Sequence, residues 1–190
     1  MKKILVLLLC LIFIFSGCSG ESDSAKSTTL KDSVVENYIG EGTMTALRFL
    51  VNSNAFLVES VFIKNHLPVD LENTVENDSG TFAPVVSDKI KTYADLESTV
   101  NSTYTKEIAE KLLNEKRYVE IDGKLYFDMK FDTASSYDKD WTDYEIEVSN
   151  AADGEYSIDI NVKNIKGRKT VITASAVTVD GSLRLNDIYS

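Results

Sequence analysis

Cysteine and histidine are nearly absent from this chain, and their scarcity narrows what it can do. Only Cys10 and Cys18 are present, both close to the N-terminus, so the body of the chain forms no internal disulfide. Its stability has to come from a hydrophobic core, which 190 residues of 43% hydrophobic composition can build without covalent staples. His66 is the only imidazole. With no cysteine and no second histidine to join it, zinc sites of the usual kinds are excluded. A Ser-His-Asp or Cys-His hydrolase would need His66 as its base, and no G-x-S-x-G motif accompanies it. His66 therefore reads as a surface or internally satisfied side chain. Basic patches with interleaved aromatics are missing too, and the net charge is −10. Such a surface repels phosphate backbones, so nucleic acid is not an expected partner. Carboxylates and tyrosines are plentiful, yet no spacing singles out an acid/base pair. The chain is read as a non-enzyme without a cofactor.

What is present begins with residues 1–17: Lys2 and Lys3, the apolar run ILVLLLCLIFIF, and Phe15-Ser16-Gly17 before Cys18. The run is short for a bilayer span and has the length of a signal-peptide core. It resembles a bacterial lipoprotein signal, with Cys18 as the lipidated first residue of the mature protein. Phe15 stands where leucine is usual. Loss of Lys2 and Lys3 leaves 18 basic against 30 acidic residues. A lipid anchor would hold the protein on the outer face of the cell membrane, each buried methylene contributing about 0.8 kcal/mol. Residues 18–33, polar after the cysteine, read as a tether reaching about 50 Å extended and roughly 20 Å on average.

Residues 34–190 read as a single α+β domain. Met44, Leu47, Leu50 and Val51 predict a helix over Thr43–Asn52 with Thr43 as N-cap. The next stretch, through Phe56 to Pro68, fits neither helical nor strand period and is read as extended or irregular. Residues 70–80 read as a solvated acidic loop. From Thr81 to Lys116 the pattern is read as helical, with a capping box at Thr92/Asp95 and a second start near Thr105 supported by a Glu107–Lys111 pair. Beyond Trp141 the alternation is strictly period-two, broken by Asp153-Gly154, a loop through Gly167 and Asp180-Gly181. This predicts antiparallel strands, with Lys169–Val179 central and the LRLNDI run closing the sheet. The expected architecture is N-terminal helices packed on a C-terminal β-meander, of the kind seen in cystatin-like and NTF2-like rolls.

The stretch from Arg117 to Trp141 carries the functional expectation. Asp122-Gly123, between alternating apolar runs, predicts a two-residue hairpin. After it comes a polar, glycine-free connection ending at Trp141, the only tryptophan. Asp128, Asp132, Asp138, Asp140 and Asp143 concentrate negative charge that would steer toward a basic cleft rim, and Tyr137 reads as an exposed aromatic anchor. Trp141 is expected to close the core beneath the loop. A calcium loop over Asp138, Asp140 and Asp143 fails the EF-hand pattern, because Asp143 sits where glycine is needed and Ser149 where a glutamate is needed.

Four pieces in order, FAPVVSDKIKTYADLESTV, STYTKEIAEKLL, VEIDGKLYFD and DKDWTDYEIEV, resemble the DL-endopeptidase inhibitor (IseA-type) family of Gram-positive bacteria. The resemblance implies an exported protein that restrains NlpC/P60 cell-wall hydrolases by inserting an inter-strand loop into the catalytic cleft. By position that loop is Asp128 to Trp141. Where the family's loop has an Asp-Gly-Gly stretch, this chain has Asp132-Thr133-Ala134-Ser135-Ser136, whose side chains hold another backbone further off. The alternative kept open is a small-ligand-binding or structural lipoprotein module on the same kind of roll.

Overall fold

The computed structural model describes residues 39–131 and 137–190. Its first element, α1, is Glu41–Leu57 and starts at Gly40 without a side-chain cap. Thr43 thus lies inside the first turn, and the helix outruns the expected Thr43–Asn52 at both ends. Glu41 in the first turn suits the positive end of the helix dipole. The segment from Phe56 to Pro68, expected to be extended or irregular, is helical as far as Phe62 and irregular from Ile63 to Pro68. It continues α1 and then widens into a π-turn, Val58–Phe62, where Val58 O accepts from Ile63 N at 3.1 Å and Lys64 N at 2.9 Å. Ala55, Leu57, Val58, Val61 and Phe62 are all buried. A helix covered on most sides has no polar face, so it shows no 3.6-residue stripe to read.

Two four-stranded antiparallel sheets follow. The first joins β1 (Val75–Asn77), β2 (Gly80–Pro84), β3 (Tyr118–Ile121) and β4 (Lys124–Asp128) in the order β1-β2-β4-β3. Two expectations fail here: residues 70–80 contain a strand, and Thr81–Pro84 is strand rather than helix. Pairing decides it, because Phe82, Ala83 and Pro84 align with Asp128, Phe127 and Tyr126 across β4, and Phe82 and Ala83 are buried. The β3–β4 hairpin turns where expected, with Asp122 at φ 50° and Gly123 at φ 73°.

Between the strands of this sheet run α2 (Tyr93–Thr103) and α3 (Lys106–Asn114). The capping box of α2 is present: Asp95 N donates to Thr92 Oγ1 at 3.1 Å and Thr92 N to Asp95 Oδ2 at 2.9 Å. In α3 the i,i+4 ion pair is Lys106–Glu110 at 3.7 Å, in place of the expected Glu107–Lys111. The second sheet is a meander of β5 (Lys139–Ala152), β6 (Glu155–Asn164), β7 (Lys169–Val179) and β8 (Ser182–Leu185), in that order. Its turns are the three that were expected, β7 is internal and β8 closes the edge.

The fold is α+β. One buried cluster joins Leu47, Leu50 and Val51 of α1 and Leu96 and Val100 of α2 with Leu125 and Phe127 of the first sheet and Ile158, Ile160 and Leu185 of the second. Asn54 is buried within it. Its Oδ1 accepts from Tyr104 OH at 2.8 Å and from Tyr189 N at 3.2 Å, and its Nδ2 donates to Tyr189 O at 2.8 Å.

Candidate partner-binding loop

The first sheet ends at Asp128 and the second begins at Lys139, so the expected loop is the connection between the two sheets. Its N-terminal stump leaves β4 tightly held. Asp128 N donates to Arg117 O at 2.8 Å, Met129 N to Thr81 O at 3.0 Å and Phe131 N to Asp128 O at 3.2 Å. The Asp128 carboxylate is 2% exposed and turns inward, accepting from Lys130 N at 3.1 Å and pairing with Lys130 Nζ at 2.5 Å. The Phe131 ring lies 5.0 Å from both the Arg117 guanidinium and Lys130 Nζ, distances at which a cation is attracted to a ring face.

The C-terminal stump is held as closely. Trp141 Nε1 donates to Tyr137 OH. Lys64 Nζ lies 5.5 Å from the Tyr137 ring centroid, and Ile165 N donates to Asp138 O at 2.8 Å. Trp141 is 6% exposed and belongs to the core, as expected. A β-bulge places it there. The register passes from Asp140↔Lys163 to Glu145↔Asn161, so Trp141 to Tyr144 oppose Val162 alone. A strand with surplus residues bends and re-aims its side chains, here sending the indole inward while Tyr144 OH reaches Asn52 Oδ1 at 2.8 Å.

Two site residues differ from expectation. Asp128 is not a partner-facing charge, because burial and Lys130 turn it into the brace of the stump. Tyr137 is half-buried rather than an exposed anchor, and burial pushes its hydroxyl pKa up to about 12. The remaining described aspartates are also matched. Lys139 Nζ sits 2.7 Å from Asp138 Oδ1 and, as the largest cause, holds that carboxyl below its usual range. Thr142 donates to Asp140 Oδ1 from both its hydroxyl, at 2.6 Å, and its backbone N, at 3.0 Å, with the same effect on Asp140. Asp143 pairs with Lys163 at 2.9 Å. With Asp138 and Asp143 ion-paired at close range and charges screened beyond about 10 Å, the loop base projects a weaker field than the sequence implies, although Asp140 keeps its charge against the neutral Thr142. Asp132, Thr133, Ala134, Ser135 and Ser136 lie outside the described residues, as does Cys18.

Residue patterning missed Lys64, Arg117 and Phe131. Lys64 comes from a segment remote in sequence that nothing in the local pattern ties to the loop, whereas Arg117 and Phe131 lie within the stretch but carried no assigned role. His66 is internally satisfied: its ring stacks on Phe127 at 4.3 Å and Nδ1 donates to Leu67 O at 2.6 Å. No group of three or more His, Cys, Asp or Glu able to hold a metal occurs among the described residues, and none of their helices is long and apolar enough to cross a membrane. A separate open groove of about 850 Å³ runs between α1 and the β7–β8 turn, lined among others by Phe49, Ser102, Tyr156, Thr178 and Arg184. Compared with known proteins, the chain matches no family model and no curated sequence.

Proposed function

We propose that this protein is a lipid-anchored, extracytoplasmic inhibitor of NlpC/P60-type DL-endopeptidases, acting through the connection between β4 and β5 on a cystatin-like or NTF2-like roll. The observation that carries the reading is the bracing of that connection at both ends, by Asp128 with Lys130 on one side and Tyr137 with Trp141 on the other. An inhibitory loop needs no reactive group. It needs a shape held before binding, because ordering a loop in the complex would subtract from affinity. The braced connection falls at the positions the IseA-type resemblance assigns to the inhibitory loop. Shape then contributes more to recognition than the acidic charge first assigned to the loop, since Asp128, Asp138 and Asp143 already have lysine partners within the chain.

Residues 1–17 act as the signal, Cys18 takes the lipid and residues 18–33 lift the domain off the membrane's outer face. Replacing Cys18 with serine is expected to release the protein from the membrane fraction into the medium. The function itself is tested by peptidoglycan hydrolysis with a set of NlpC/P60 domains, adding the lipid-free chain from Lys31 to Ser190 or the same chain with residues 132–136 replaced by a neutral linker. Inhibition by the first and not the second is the expected result. Activity undiminished with every hydrolase overturns the reading.

The groove at Phe49 and Tyr156 favours a second reading, a small-ligand-binding or structural lipoprotein module. Its test is ligand-induced stabilisation of the folded chain together with an unchanged hydrolase assay.

A further inference from the structure

The end of α1 and the base of the loop meet through one lysine. The π-turn Val58–Phe62 makes that meeting possible. In a regular α-helix, at about 100° per residue, side chains five apart point about 140° away from each other. Here Val58 O takes both Ile63 N and Lys64 N, and Glu59 and Lys64, five apart, form an ion pair at 3.5 Å. The paired ammonium group then lies 5.5 Å from the Tyr137 ring centroid, and its charge also reaches Asp140. On its other side Tyr137 OH receives the Trp141 Nε1–H bond, and Trp141 is fixed in the core. Tyr137 is thus held both by Lys64, which comes from a distant part of the chain, and by the core-anchored Trp141 four residues on.

We infer that Tyr137 is the positioning residue of the inhibitory connection, a latch that fixes where the chain re-enters the fold by tying the Lys64 π-turn to the Trp141 indole. The inference rests on the inhibitor reading for its purpose but not for its geometry. π-Turns are rare and concentrate at functional sites, and Lys64, two residues past the end of this one, still bonds through its backbone N to Val58 O.

The test uses the chain from Lys31 to Ser190 with the variants Tyr137→Phe, which removes the acceptor, and Lys64→Met, which removes the cation but keeps the stem. Trp141 is the only tryptophan, so a single indole N–H resonance reports the latch. Its exchange with solvent is expected to quicken about tenfold or more in Tyr137→Phe, and its chemical shift to move in Lys64→Met. Inhibition of the hydrolase is expected to weaken about tenfold in each, as misplacement of a preorganised loop does, with thermal midpoints within about 3 °C of the parent. Indole exchange and shift unchanged in both variants overturn the latch. Inhibition lost only in proportion to stability overturns the positioning role. A parent chain that inhibits nothing removes the proposed function, while the indole resonance still decides the latch.

Discussion

At Asn54 a single amide joins α1, the end of α2 at Tyr104 and the penultimate residue Tyr189. Every polar atom of that side chain has a partner, in a site that is 1% exposed. Asn54→Ala removes the amide and strands the Tyr104 hydroxyl and the Tyr189 backbone. It is expected to cost about 2–4 kcal/mol, whereas Tyr104→Phe, which takes one donor from an oxygen that keeps Tyr189 N, is expected to cost about 1 kcal/mol. Urea unfolding of both variants checks the order, and equal losses would contradict the shared-acceptor account. The three most constrained tyrosines behave alike in another respect. Burial raises the hydroxyl pKa of Tyr104 and Tyr118 above the ordinary value, and that of Tyr137 to about 12. A group with a raised folded pKa favours the folded state below its unfolded pKa, near 10. That contribution is lost as pH rises beyond it. Stability is therefore expected to fall above about pH 10, and a tyrosinate absorbance titration should show a late-titrating class released on denaturation.

Turns and caps set the limits of the elements, and they can be graded against one another. Asp122-Gly123 and Asp153-Gly154 both turn with positive φ at both residues. Their surroundings differ. A Cβ on Gly123 meets nothing within 4 Å, while one on Gly154 would lie 3.1 Å from Thr178 Oγ1. Gly123→Ala is expected to cost about 1 kcal/mol from backbone strain alone, and Gly154→Ala more, from strain plus the contact. Thermal melts of the pair test whether space or φ governs. Thr92→Ala, which empties one half of the α2 capping box, is expected to cost about 1 kcal/mol. The capping box and the Asp-Gly turns were legible because each is a local rule satisfied within four residues. The π-turn and β2 were not: the first is buried on most sides and so has no periodic signature, and the second is a strand only because β4 lies beside it.

For the molecule as a whole, folding pairs part of the acidic charge that the sequence carries. The sequence is strongly acidic, yet Asp128, Asp138 and Asp143 at the loop base are met by Lys130, Lys139 and Lys163. Asp138 is held below its usual range chiefly by Lys139 and Asp140 chiefly by Thr142, as Asp95 is by the Lys91 backbone. Carboxyls with depressed folded pKa values stabilise above their unfolded pKa, near 4, and that support disappears as pH falls through the folded value. Stability is expected to be level from about pH 5 upward to the tyrosine range and to decline below about pH 4. Denaturant midpoints measured across that span check it. A midpoint that rises on acidification would contradict the pairing.

The sequence by itself determined the elements whose signals are local: the meander after Trp141, its Asp-Gly turns, the β3–β4 hairpin and the capped start of α2. Alternation, capping and turn chemistry act over a few residues, and they hold whatever surrounds them. Tertiary structure decided the rest. It decided that Thr81–Pro84 pairs as a strand, that the helix after Asn52 runs on into a π-turn, that Asp128 faces inward and that Tyr137 is gripped rather than presented. The strand at Ala83 and the grip on Tyr137 depend on partners far away in the chain, Phe127 and Lys64, and free energy from such contacts has no signature in a window of neighbouring residues.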